Sequence, residues 1–260
     1  MEDLRSFTGS LMSEITLALS GGAARGAYHL GVLHFIEEKG LHVRAISGTS
    51  IGAIIGASWL CGVSAKEQLE IFKSKEFRAI FSFNYFRKSI FKIDMDAKII
   101  ERLVPKKNIQ DLEIPLYITA IDLTSGANLC FESGDIKRLC IASSALIPIF
   151  PPVQYNDYQL ADGGFMDHIP MEPLKAYDVM RVGVNLHPIY KKESGNNIFS
   201  HISRSLYLSM YRESFEAKNS CDVYITSKKL LDYSIFSFSN FDALFALGYQ
   251  DAKEKFSLKL

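Results

Sequence analysis

The strongest chemical signal in the chain is the pentad Gly48-Thr49-Ser50-Ile51-Gly52. A run with β propensity, Val43–Ser47, precedes it, and a run rich in small residues, Ile51–Leu60, predicts a helix after it. A serine at such a strand-to-helix turn is typical of a nucleophile elbow, because side chains at Gly48 and Gly52 would collide with the tight turn. The helix after Ser50 would also direct its N–H groups toward an anion formed there.

A glycine-rich loop, Ser20 to Gly26, joins a predicted first strand to a predicted first helix. It does not match a dinucleotide fingerprint, which needs glycine at its first, third and sixth places: Ala23 occupies the third place if Gly21 is the first, and the next strand ends in Ser47 instead of an acid. Consecutive N–H groups of Gly21, Gly22 and Ala23 could instead converge on one developing oxyanion. Arg25 either steadies this loop, meets an anionic head group, or is a solvated surface charge.

The acid Asp162 follows a predicted strand, Gln159–Ala161, and precedes Gly163 and Gly164. An acid at a strand end followed by glycines can approach another backbone closely, so Asp162 is the candidate base for Ser50. A carboxylate near its reference pKa of about 3.9 is a weak base, so the site must desolvate it. The alternative is a turn residue that bonds its own backbone.

A histidine base is the other way to activate the serine. In the order serine, acid, histidine, either His187 or His201 could complete a triad. Neither lies in a recognisable loop signature, and a nucleophile after only two strands is early for an α/β-hydrolase. The sequence therefore favours a dyad of Ser50 and Asp162.

Composition narrows the class of protein. The 260 residues are 48% hydrophobic and carry 29 basic and 29 acidic side chains, which predicts one domain over 1–260 and no nucleic-acid partner. The four cysteines, scattered without metal spacing, predict buried free thiols in a reducing compartment, and no metal or cofactor is implied. Residues 1–14 form an N-terminal tail without signal-peptide character, and no 18-residue apolar stretch exists. We expect a cytoplasmic protein, with any membrane contact peripheral and the oligomeric state open.

Aromatic and cationic side chains interleave in residues 73–92. Two interpretations stay open: a lid that faces a membrane over an acyl-binding cleft, or core aromatics with a solvated basic edge. In the first case, neutralising Arg87, Lys88 and Lys92 would alter activity on vesicles.

Strands and helices alternate along most of the chain, which predicts an α/β fold with a mainly parallel sheet covered on both faces. The predicted strands are Ile15–Leu19, Val43–Ser47, Pro115–Asp122, Ala127–Glu132, Gln159–Ala161, Met180–His187 and Asp222–Thr226. The predicted helices are Ala27–Lys39 closed by Gly40, Ile51–Leu60, Ala65–Lys73 capped by Ser64 and Glu67, Ala97–Val104 capped by Asp94 or Asp96, Asp135–Ala145, Ser200–Ala217 and Phe241–Phe256.

Four ordered motifs resemble the patatin-like phospholipase family: the loop Gly21–Gly26, the elbow Gly48–Gly52, the proline-rich Pro148–Val153, and Asp162-Gly163-Gly164. The resemblance spans about residues 15–170 and implies a three-layer α/β/α sandwich. It also implies a catalytic dyad of Ser50 and Asp162, an oxyanion hole at Gly21, Gly22 and Ala23, and a position near the pocket for Ser143 and Ser144.

The chain departs from the family pattern in two places. Ala23 replaces the usual third glycine, which an alanine can do if its φ is negative. Asp167-His168 stands where two asparagines are common. The expected function is a serine acyl hydrolase that cleaves lipid acyl esters, of phospholipase A or lysophospholipase type. The alternatives are an esterase or thioesterase for soluble substrates, or a regulatory or binding protein with little turnover.

Overall fold

The computed structural model describes residues 14–83, 89–94, 97–190, 196–210, 214–235 and 238–259. Within these ranges the strands are β1 (Glu14–Leu19), β2 (His42–Thr49), β3 (Phe81–Phe83), β4 (Phe91–Ile93), β5 (Leu116–Asp122), β6 (Asn128–Phe131), β7 (Val153–Tyr155), β8 (Tyr158–Asp162), β9 (Met180–Val184) and β10 (Val223–Ile225). The α-helices are α1 (Ala27–Lys39), α2 (Ile51–Leu60), α3 (Ala65–Lys73), α4 (Lys75–Ala79), α5 (Lys98–Leu103), α6 (Ile136–Ser143), α7 (Ile198–Met210), α8 (Ser214–Ser220) and α9 (Phe241–Ser257).

The central sheet has eight strands in the order β10-β9-β1-β2-β5-β8-β7, with β6 also paired to β5. Strands β10, β9, β1, β2 and β5 run parallel to one another. Strands β6 and β8 pair antiparallel with β5, and β7 pairs antiparallel with β8. The α/β/α prediction is confirmed, and the sheet is mixed because hairpins form its second half.

Side-chain alternation along the strands divides the core between the two faces of the sheet. Ile15, Leu17 and Leu19 of β1 join the large cluster formed with α1, α2, α3, α6 and α9. Ala18 points to the other face, where a smaller cluster includes Met171 from the segment before a 3₁₀ turn and Ala217 from α8. The sheet is therefore the middle of three layers, and its first face carries most of the core.

Most predicted elements are confirmed, including α1 with Gly40 in the left-handed conformation at its C-cap (φ 61°) and the capping box of Ser64 and Glu67. Asp94 was predicted as one possible cap of the helix near Ala97, and this is wrong, because Ala97 itself is the N-cap and no side-chain cap bond forms there. The other predicted cap, Asp96, lies outside the described residues. The predicted strand from Met180 extends only to Val184. The four cysteines are free thiols, but only Cys140 is fully buried and Cys130 is exposed.

The tail and the lid stay predictions. Residues 1–13 and 84–88 lie outside the described residues, and the second of these ranges includes Arg87 and Lys88. The described parts of residues 73–92 include α4 and the two-stranded sheet of β3 and β4. Within the described ranges, none of the helices combines the length and the apolar character that crossing a bilayer requires.

Candidate active site

Ser50 stands at the junction of β2 and α2, in a strained backbone conformation with φ 55° and ψ −124°. A residue with a side chain rarely adopts this conformation, and it persists only where the surroundings enforce it. Close packing on both sides provides that enforcement: a Cβ at Gly48 would lie 2.6 Å from the nitrogen of Ala53, and one at Gly52 would collide with the carbonyl group of Leu19. The two glycines therefore let α2 begin directly against β1 and β2.

Strand β5 brings Asp162 close to the elbow, because it pairs with β2 on one side and with β8 on the other. Thr119 of β5 pairs with Thr49, and the next residue, Ala120, pairs with Asp162. Thr49, which precedes the serine, and Asp162 therefore pair with consecutive residues of β5. More than a hundred residues of chain separate Ser50 from Asp162 in the sequence, and the sheet brings them to one point.

The carboxyl group of Asp162 is buried, and this burial raises its pKa from 3.8 to about 6. Two hydrogen bonds act in the opposite direction and lower the pKa: the Gly164 N–H donates to Oδ1 at 2.8 Å, and Ser50 donates from its side chain. Desolvation dominates. The result is a carboxylate that is more basic than an exposed one and that is in contact with a serine hydroxyl.

The glycine-rich loop lies beside the elbow: a Cβ at Gly21 would be 3.3 Å from the Cβ of Ser50. Gly22 has φ 159° and Ala23 has φ 48°. Ala23 is thus in the left-handed region, and the negative φ that an alanine prefers is not met. The hydrogen bonds found among the described residues include no acceptor for the N–H groups of Gly21, Gly22 and Ala23.

Arg25 is buried and holds the loop in place. Its Nε and Nη2 donate to the carbonyl oxygen of Tyr233 at 2.9 and 2.8 Å, and its Nη1 donates to that of Leu186 at 3.0 Å. Nearby, the Ala24 N–H donates to the carbonyl of Ile235 at 2.9 Å. Of the three roles considered from the sequence, the contacts match the one that steadies the loop. They also connect the loop to a C-terminal segment whose family resemblance is loose.

The remaining glycines of the motifs line close contacts. A Cβ at Gly26 would strike the side chain of Ile51, and one at Gly163 would lie 2.7 Å from the carbonyl oxygen of Thr119. A Cβ at Gly164 would lie 3.0 Å from Oδ1 of Asp162. Each of these glycines allows two parts of the site to approach.

Sequence reasoning missed a pair of threonines that joins the elbow to the turn after Asp162. The Oγ1 atoms of Thr49 and Thr119 are 2.7 Å apart, and Thr49 Oγ1 donates to the carbonyl oxygen of Asp167 at 2.8 Å. The signal was present in the pentad, where Thr49 precedes the serine. Its partner is apparent only when the strand register is known.

Three histidines, His29, His168 and His187, are buried next to the glycine loop. Burial lowers the pKa of His29 to about 4 and that of His168 to about 3, and it places the pKa of His187 well below its usual value. All three are therefore neutral at pH 7. His187 packs against His168 with ring centroids 5.0 Å apart, and His201 is exposed on α7.

No group of three or more His, Cys, Asp or Glu side chains within the described ranges is arranged to hold a metal ion. The described surface also carries large exposed apolar side chains. Five large side chains, each more than a third exposed, form what we term the apolar rim: Phe83, Phe91, Ile147, Phe165 and Met166.

Two observations connect the rim to motifs of the site. The Phe91 N–H donates to Ile149 of the proline-rich segment at 2.8 Å, and the rings of Phe83 and Phe91 are 6.0 Å apart. Phe165 and Met166 follow the Asp162-Gly163-Gly164 motif directly.

Comparison with known proteins agrees with this architecture. The model of the patatin family, which is described as patatin-like phospholipase, matches residues 17–175 of this chain. An uncharacterized NTE family protein of Mycobacterium tuberculosis is 30% identical over 187 residues, which cover 69% of this chain and 51% of the relative. Lysophospholipase NTE1 of Candida albicans is 27% identical over 290 residues, covering 94% of this chain and 20% of the relative.

Among solved structures, VipD from Legionella pneumophila matches with a TM-score of 0.54 and 14% sequence identity. The match covers 95% of this chain and 67% of VipD. At this identity the likeness concerns the fold alone. The chain spans about half the length of the mycobacterial relative.

Proposed function

Because the chain belongs to the patatin-like phospholipase family, a family of lipid acyl hydrolases, we propose that it hydrolyses lipid acyl esters through a dyad of Ser50 and Asp162. The observation that supports this most directly is the side-chain hydrogen bond from Ser50 to a buried carboxylate of raised pKa. A base whose pKa lies near the working pH is better suited to proton abstraction than an ordinary aspartate.

In the first half of the reaction, Asp162 accepts the proton of the Ser50 hydroxyl as Oγ attacks the ester carbonyl carbon. The carbonyl oxygen becomes an oxyanion, which the N–H groups of Gly21, Gly22 and Ala23 bind. When the intermediate collapses, the bond to the leaving oxygen breaks and Asp162 returns the proton to that oxygen. The alcohol portion leaves, and the acyl group stays on Ser50.

In the second half, water replaces the alcohol. Asp162 takes a proton from the water, and the resulting hydroxide attacks the acyl-enzyme. The same loop amides bind the second oxyanion. Collapse releases the carboxylic acid, and Asp162 returns its proton to Ser50 Oγ. The cycle needs no metal or cofactor, since one carboxylate carries the proton in both halves.

The apolar rim supports a lipid over a soluble ester as the substrate. Solvent-exposed phenylalanines that contact the proline-rich segment would bind acyl chains or enter the interface of a bilayer. A relative that carries the name lysophospholipase points to the same class. We therefore place the protein at membrane surfaces as a peripheral cytoplasmic enzyme, of phospholipase A or lysophospholipase type.

The dyad is tested by hydrolysis of phospholipids, lysophospholipids, acylglycerols and acyl-CoA, and by labelling with a fluorophosphonate probe. Ser50→Ala should abolish both hydrolysis and labelling, and Asp162→Ala should reduce both by at least about a hundredfold. Unfolding curves should show that each variant is folded. An active Asp162→Ala protein would point to a histidine base, and an unreactive wild-type protein would favour a binding role.

The lipid preference is tested with the rim. Phe83→Ser together with Phe91→Ser should lower the rate on phospholipid vesicles several-fold and leave the rate on a short-chain soluble ester unchanged. Leu258→Ser is the matched control, since Leu258 is 74% exposed at the far end of α9. Equal rates for all three proteins on vesicles would favour an esterase or thioesterase for soluble substrates.

A further inference from the structure

Ser143 is the last residue of α6, and it is completely buried. Its Oγ accepts a hydrogen bond from the backbone N–H of Ser50 at 2.8 Å. The two residues are 93 positions apart in the sequence. This bond is therefore a tertiary contact between the C-terminal end of α6 and the elbow.

The contact acts on the most strained residue of the site. With φ 55° and ψ −124°, Ser50 holds a sparsely populated backbone conformation that needs support from its surroundings. On its carbonyl side, Ser50 accepts a hydrogen bond from the Ile54 N–H of α2 at 3.2 Å. On its amide side, Ser143 provides the acceptor. The backbone of Ser50 is thus fixed at both ends, which fixes the direction of its side chain.

The same end of α6 also contacts the acid. The carbonyl oxygen of Ala145, two residues beyond Ser143, accepts the backbone N–H of Asp162 at 3.2 Å. One short segment therefore binds the backbone amides of both Ser50 and Asp162. It sets the separation of the hydroxyl and the carboxylate independently of the sheet.

We propose that Ser143 is a positioning residue that orients the Ser50 hydroxyl toward Asp162 by binding the Ser50 amide. This inference rests on the proposed hydrolase function. It also removes one candidate donor of the oxyanion hole, because an N–H group of Ser50 that is bound to Ser143 cannot stabilise the oxyanion. The amides of the glycine loop and the first N–H groups of α2 remain.

The test uses two replacements and a control serine at the end of another helix. Ser143→Ala removes the acceptor, and Ser143→Cys keeps nearly the same shape but offers a sulfur atom that accepts weakly. Ser257→Ala removes the hydroxyl of the last residue of α9, which donates to the carbonyl of Lys253 within its own helix at 2.7 Å. Each protein is assayed on a soluble ester for kcat and KM across pH, and for its rate of fluorophosphonate labelling.

Both Ser143 variants should lower kcat about tenfold or more, because misplacing a nucleophile by a fraction of an ångström slows attack without weakening substrate binding. KM should stay within about twofold, and the rate of probe labelling should fall in proportion to kcat. In the plot of kcat against pH, the midpoint of the rise from acid pH should stay where it is in the wild type. Ser257→Ala should behave like the wild type. If Ser143→Ala does not fold, the cysteine variant carries the test.

Wild-type kcat and labelling in the cysteine variant would overturn the inference, because the role of Ser143 would then be packing. A rise in KM without a fall in kcat would also overturn it. Failure of the proposed function has a different signature: the wild-type protein would neither hydrolyse esters nor react with the probe. An active wild type with unaffected Ser143 variants refutes only the role of Ser143.

Discussion

Replacing Asp162 by asparagine separates the stability of the protein from its activity. In the folded chain the pKa of Asp162 is raised from 3.8 to about 6 by burial. The unfolded chain loses this proton near pH 4, whereas the folded chain keeps it until about pH 6. Between these values the folded state binds more protons, so its stability falls as the pH rises.

The size of the effect follows from the two pKa values. They differ by about two pH units, and each unit corresponds to about 1.4 kcal/mol, so ionised Asp162 destabilises the fold by about 3 kcal/mol above pH 6. At pH 4 most of this penalty is absent. Asparagine does not ionise and its amide oxygen can still accept the Gly164 N–H. Asp162→Asn should therefore gain about 2–3 kcal/mol on the wild type between pH 4 and pH 8.

Urea unfolding of both proteins at pH 4 and pH 8 measures this gain, and comparing the two pH values cancels any constant difference between the side chains. Hydrolysis by the variant should fall by at least about a hundredfold at every pH, since the base is lost. In the wild type, kcat/KM should rise with pH to a plateau with a midpoint near 6. A stability difference that does not change with pH would refute the argument that Asp162 is a desolvated base.

Three further outcomes are expected. Gly52→Ala should lower the free energy of unfolding, measured in urea, by several kcal/mol because a Cβ there meets the backbone of Leu19. The control Gly40→Ala has open space around the new Cβ and should lower it by only about 1 kcal/mol, because of the left-handed backbone. Arg25→Met keeps the apolar stem but removes the donor to the carbonyl oxygens of Leu186 and Tyr233. It should lower the free energy of unfolding by about 3 kcal/mol and slow hydrolysis, and an unchanged unfolding midpoint would contradict this. Treatment with EDTA should leave hydrolysis unchanged, and loss of activity would count against a dyad mechanism.

Local sequence patterns were sufficient to predict most of the elements that carry the site. The helix Ala27–Lys39 was predictable because its apolar spacing ends at a glycine that can adopt positive φ. The helix after Ser50 and the hairpin that delivers Asp162 were predictable because their turn residues tolerate only a few backbone conformations. The antiparallel pairing of β8 with β5 was not predicted, because strand partners depend on contacts between distant parts of the chain.

Contacts with no local pattern were beyond sequence reasoning. The bond from Ser50 to Ser143 joins two elements whose sequences do not specify each other's orientation. The positive φ of Ala23 was equally inaccessible, because alanine favours negative φ and only the surrounding hydrogen bonds, such as that from Ala24 to Ile235, hold the loop as it is. The bond from Ala24 depends on the C-terminal part of the chain, because Ile235 lies beyond the family match to residues 17–175.

The site combines several features that each destabilise the fold: the positive φ of Ser50, the positive φ of Ala23 and the buried carboxylate of Asp162. Removing the strain at Ala23 offers a test of whether it serves the chemistry. Ala23→Gly relieves about 1–2 kcal/mol of left-handed strain but adds about 0.4–1 kcal/mol of unfolded-state entropy, so it should stabilise the protein by up to about 1.6 kcal/mol. If other contacts already fix the backbone of the loop that binds the oxyanion, kcat of this variant should stay within about twofold of the wild-type value. A larger fall in kcat would show that the alanine itself holds the loop in its working conformation.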